Sequence, residues 1–67
     1  MKTKISAYVV LKKEPNDSIS GYCWRAYFRG TSNRVKRENG QIVSPYSRIS
    51  DLRFDLLNNP MERGVIA

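Results

Sequence analysis

The sequence predicts an α+β fold: a small antiparallel β-sheet of three to four strands, with one C-terminal helix packed on one face. Three observations predict it. Residues 4–12 and 22–29 alternate apolar and polar side chains, the period of a half-buried strand. Asn39-Gly40 sits between two short β-prone runs, which is a hairpin signal. After Pro45 the apolar spacing changes to that of a helix.

In the first strand, 4–12, Ile5, Ala7, Val9 and Leu11 fall on one side. Lys4, Ser6, Tyr8, Val10 and Lys12 fall on the other. Glu14-Pro15-Asn16-Asp17-Ser18 reads as a turn, because proline presets φ and Asn, Asp and Ser bond their own backbone. The second strand, 22–29, sorts Tyr22, Trp24, Ala26 and Phe28 from Cys23, Arg25, Tyr27 and Arg29. The first set is assigned to the core, since burying two unpaired arginines costs several kcal/mol each. Strands at 34–38 and 41–44 flank Asn39-Gly40. A two-residue type I′ turn there sets Arg37 against Ile42 and Lys36 against Val43. Val35 and Ile42 then share one side, and Arg34, Lys36 and Val43 the other.

The helix is expected over 47–58, with Ser47 as N-cap and Asn59-Pro60 as the stop. Ile49, Leu52, Leu56 and Leu57 form its apolar stripe, with Phe54 at the edge. Arg48, Asp51, Asp55 and Asn58 form its solvated side. Residues 60–67 show no pattern. The 67 residues read as a single domain, 1–67.

One helix covers one sheet face. The other face then stays open, and alternation loads it with basic and tyrosine side chains. The formal net charge is +6, and its placement is uneven. Residues 1–44 hold nine Lys or Arg against three acids, while residues 45–67 hold three of each. Such an excess points to an anionic partner: nucleic acid or an acidic protein surface. The expected contact residues are Arg25, Tyr27, Arg29, Arg34, Lys36, Arg37, Lys4, Tyr8 and Lys12. Arginine offers a planar fork matched to phosphate and guanine edges, and tyrosine stacks on bases. Same-side residues on a strand stand about 6.5–7 Å apart, close to the spacing of successive phosphates.

Catalysis is not expected. The chain has no histidine, its four glycines are scattered, and Cys23 has no base partner. No metal site or cofactor is expected, because one thiol without histidine does not fill a zinc shell. Cys23 is the single cysteine, which suits a reducing, cytoplasmic setting and excludes a disulfide within the chain. The apolar run Ala7–Leu11 is too short for a signal-peptide core or a membrane span, so no membrane partner is expected.

The segment Gly21-Tyr22-Cys23-Trp24-Arg25-Ala26-Tyr27-Phe28-Arg29, with the basic hairpin and single helix that follow, resembles the AP2-type DNA-binding domains. These include the arm-binding domains of tyrosine integrases. The resemblance spans roughly Gly21 to Asn59. It implies a sheet laid in the DNA major groove, with Arg25, Tyr27, Arg29, Arg34 and Lys36 facing the bases. The added strand at 4–12 and the alanine-poor helix depart from that pattern. The leading expectation is a small nucleic-acid-binding accessory or regulatory protein, with DNA favoured over RNA. The alternative is a phage or mobile-element protein that binds and inhibits or redirects a host protein through the same surface. A sheet this small also has an edge through which a homodimer could form.

Overall fold

The computed structural model describes residues 4–67; Lys2, counted above among the cations, lies outside them. The architecture is α+β: strands β1 (Val9–Pro15) and β2 (Tyr22–Phe28), then helix α1 (Ile49–Asn58). β1 and β2 pair antiparallel, from Val9 opposite Phe28 to Pro15 opposite Tyr22.

β1 lies further along the chain than expected. Its would-be first residues are used elsewhere: Ile5 bridges Ile66, and Ser6 N–H donates to the Val65 carbonyl at 2.8 Å. At the other end the ladder runs on through Lys13 into Glu14 and Pro15, the first two residues of the expected turn. Proline is tolerated on the outer strand of a sheet, where no ladder donor is needed from it. The turn proper is 16–21, closed by Asn16 N–H on the Gly21 carbonyl at 3.2 Å.

The hairpin differs from expectation in its turn, and therefore in its register. Positive φ occurs at Gly40 (91°) and not at Asn39, so the type I′ turn is absent. Arg37 N–H donates to the Gln41 carbonyl (2.7 Å), and Gly40 N–H to the Arg37 carbonyl (2.9 Å). The loop is therefore Glu38-Asn39-Gly40. Asn39 Oδ1 supports it by accepting the Gln41 N–H at 3.0 Å. The extra loop residue sets Lys36 opposite Ile42 instead of Val43. A one-residue shift exchanges the faces of a strand. Val43 accordingly joins Val35 in the core, while Ile42 is 49% exposed.

The expected strands 34–38 and 41–44 are not formed as continuous strands. Single bridging pairs stand in their place: Tyr27–Arg34, Lys36–Ile42 and Arg37–Met61, with Trp24–Tyr46 beyond them. The segment divides its hydrogen bonds among several partners. Val35 N–H goes to Ala26, the Val35 carbonyl to Val43, and the Lys36 carbonyl to Glu62. No single neighbour receives two successive pairs.

The core lies between the sheet and α1. Val9, Ala26, Val35, Val43, Leu52, Leu56 and Val65 are buried, with Leu11, Trp24, Phe28 and Tyr46 packed against them. Burial at about 25 cal/mol per Å² makes this cluster the main source of stability. Residues 60–67, patternless in sequence, supply the fully buried Val65. On α1 the buried residues are Leu52, Asp55 and Leu56. Arg48 occupies the N-cap position in place of Ser47 and makes no side-chain cap bond. Phe54 and Leu57 are exposed, and Asp55, expected in solvent, is buried.

Candidate nucleic-acid interface

Two carboxylates organise the arginines, one on each side of the sheet. Beneath it, Asp55 receives a bidentate fork from Arg37: Nη1 to Oδ1 and Nη2 to Oδ2, both 2.9 Å. The Tyr46 hydroxyl donates to Oδ2 at 2.6 Å, and Asn59 Nδ2 donates to Oδ1. A buried carboxylate needs this full set of donors to stay charged. The Arg37 fork, with Tyr46 and Asn59, holds the Asp55 carboxyl below its ordinary range despite burial. Arg37, one of the expected contact residues, is therefore on the helix side, and its charge is neutralised there.

The open face is built from three chain segments. Directly opposed residues share a face. Lys12 lies opposite Arg25, Val10 opposite Tyr27, and Glu14 opposite Cys23. Tyr27 in turn bridges Arg34. Arg34, Lys36 and the exposed Ile42 line an open cleft of about 570 Å³, with Glu62 at its rim. The structure thus brings together Lys12, Arg25, Tyr27, Arg34 and Lys36 of the expected contact residues.

The others lie apart. Arg29 is exposed; its Nε donates to the Ala7 carbonyl at 3.2 Å, which draws it to the end of the sheet. Tyr8 stands beside it, 73% exposed, its carbonyl accepting the Arg29 N–H. Lys4 is exposed next to the C-terminal segment, where its carbonyl accepts the Ala67 N–H.

Glu14, opposite Cys23 on β1, reaches Arg25 and Tyr27 in the cationic row. Its Oε1 accepts from the Tyr27 hydroxyl (2.7 Å) and from Arg25 Nη1 (3.0 Å). The hydroxyl first, then the guanidinium, lower the Glu14 carboxyl below its usual range. Bonding to the same carboxylate pushes the Tyr27 phenol up. Lys12 Nζ stands 5.1 Å from the Tyr27 ring centroid, a cation–π distance. Arg34 Nη2 donates to the Val43 carbonyl at 3.0 Å. The Nε atoms of Arg25 and Arg34 are buried without acceptors, so both guanidinium groups lie against the sheet. Among the described residues nothing accepts from Arg25 Nη2 or Arg34 Nη1.

Glu14 and Ile42 were not among the expected site residues. The parity of Lys12 would have placed Glu14 on this face, had the strand been extended through Pro15. Nothing in the sequence alone distinguishes the hairpin loop that turns Ile42 outward. Among the described residues no group of His, Cys, Asp or Glu side chains could hold a metal ion, and no helix is long and apolar enough to cross a membrane. Comparison with protein-family models, curated proteins and solved structures finds no match.

Proposed function

We propose that the protein is a nucleic-acid-binding accessory or regulatory module that meets its ligand through the open sheet face. One observation carries this reading. Lys12, Arg25, Arg34 and Lys36, drawn from three chain segments, share the face opposite the helix. Two of the four are arginines braced against the sheet, with outer donors free. Bracing lowers the entropy lost when a phosphate is bound. Tyr27 adds an aromatic ring within the row, suited to a base or a sugar. Duplex DNA is the favoured ligand, in keeping with the resemblance of 21–29 to AP2-type domains and the major-groove docking it implies.

Titration of a labelled random duplex at two salt concentrations tests the reading. Four phosphate contacts give a slope of log K against log salt near −3.6, at about −0.9 per contact. No binding at low salt overturns it. A single-stranded competitor that displaces the duplex would reassign the ligand from duplex to single strand.

A further inference from the structure

The outer edge of β1 is open, and the hydrogen-bond alternation shows where. On β2, Trp24 N–H donates to the Tyr46 carbonyl (2.7 Å) and Phe28 N–H to the Asn33 carbonyl (3.1 Å). The Ala26 carbonyl accepts the Val35 N–H (2.9 Å). These residues turn their backbone groups away from β1. Alternation in an antiparallel pair then assigns Cys23, Arg25 and Tyr27 to bond β1, through Glu14, Lys12 and Val10. Leu11 and Lys13 face the other way. Among the described residues nothing bonds their outward N–H or C=O groups.

Neither end of this stretch offers a further donor. Val9 N–H is taken by the Ser6 carbonyl at 3.1 Å. Pro15 brings no N–H. What remains is two donors and two acceptors over Leu11–Lys13, repeating every ~7 Å. Beside the edge lies an open groove of about 380 Å³. Ile5, Val9, Leu11 and Ile49 supply its apolar lining, and Arg29 and Arg53 its charge; no acid lines it.

We propose that this edge accepts an extended acidic peptide segment of a partner protein as an added strand. The partner's backbone completes the ladder at Leu11 and Lys13. One apolar side chain enters the groove between Leu11 and Ile49, and flanking acids meet Arg29, Arg53 and Lys13. Strand addition supplies affinity through main-chain bonds and specificity through alternate side chains. Nucleic acid does not match the edge, because its phosphates accept but cannot donate. A second copy is disfavoured because each chain carries +6. This edge adjoins the cationic face at Lys12 but binds through backbone groups of Leu11 and Lys13, and the inference stands whether or not that face binds nucleic acid.

The test is a titration of the isotope-labelled full chain with a blocked peptide alternating valine and glutamate, followed by amide NMR and hydrogen exchange. The expected result is shifted, slower-exchanging amides at Leu11 and Lys13. Methylating alternate peptide nitrogens should weaken binding about tenfold, through loss of ladder bonds. Lys13→Pro removes an outward donor that the fold does not use, and should weaken binding comparably with a folded spectrum. If that variant does not fold, the methylated peptide decides. Equal binding by the methylated peptide, shifts confined to other residues, or no binding at millimolar peptide each overturn the proposal. So does protection of Leu11 and Lys13 that grows with protein concentration alone, which would mean a second copy.

Discussion

The same three side-chain types, a carboxylate, an arginine and a tyrosine, meet twice in this molecule with different consequences. Below the sheet, Asp55, Arg37 and Tyr46 form a closed set. The Asp55 side chain is 5% exposed and both its oxygens are used. On the open face, Glu14, Arg25 and Tyr27 form a partial set. The Glu14 side chain is 31% exposed, and a single oxygen takes both bonds. Burial decides the difference. Removing the donors of buried Asp55 strands its charge, whereas water replaces either partner of the more exposed Glu14 pair at small cost. The closed set therefore belongs to stability. The partial set holds its arginine through Nη1 alone, and among the described residues nothing accepts from Nη2.

The largest expected effect comes from breaking the closed set. Asp55→Asn should cost about 3 kcal/mol, by loss of a buried charge pair. A 67-residue domain has roughly 3–10 kcal/mol in total, at 0.05–0.15 per residue, so thermal melts should show a variant near unfolding. The pH dependence follows from the direction of the shift. Asp55 is lowered in the folded state, so its contribution is whole above the unfolded value, near 3.9, and is lost as pH falls through the folded value. Acid unfolding below about pH 4 should be steep in the parent and flatter in Asp55→Asn.

A second contrast separates the two arginines. Arg25→Ala should leave the melting temperature nearly unchanged. It should weaken duplex binding about tenfold and reduce the salt slope by about one. Arg37→Ala should destabilise the fold instead. Equal melting temperatures for the two variants would erase the distinction drawn here. The smallest effect is expected at Glu14. Glu14→Gln removes the competing carboxylate and should tighten duplex binding about two- to fivefold, as for an exposed pair. Weaker binding by this variant would mean that Glu14 matters more for aiming Arg25 and Tyr27 than for competing with the ligand.

The sequence made β2 and the helix legible because each carries a period over seven or more residues, whereas only 9–12 of the strand expected at 4–12 belong to β1. Alternation placed Lys12, Arg25 and Tyr27 correctly on one face. The hairpin was misread because Asn-Gly fits more than one loop. A two-residue type I′ turn and a three-residue loop with Gly40 at positive φ share the dipeptide, and they differ by one residue of register. Asp55 and Arg37 were misread for a common reason. Helical spacing marked Asp55 as polar, but only the fold shows that an arginine 18 positions earlier meets it. Pro15 concealed the end of β1, and with it Glu14. The tail was unreadable because it packs as single residues without a repeat.

That tail carries a last consequence. Ile5 pairs with Ile66, and the Lys4 carbonyl accepts the Ala67 N–H at 2.8 Å, across nearly the whole length of the chain. Closing a loop this long costs entropy that no local contact offsets in advance. Ile5 packs against the same core cluster that buries Val65, and that burial offsets the cost. Opening the seam would expose Val65, which is fully buried in the core. The seam between sequence-distant segments thus also builds the groove beside β1, because Ile5 belongs to both.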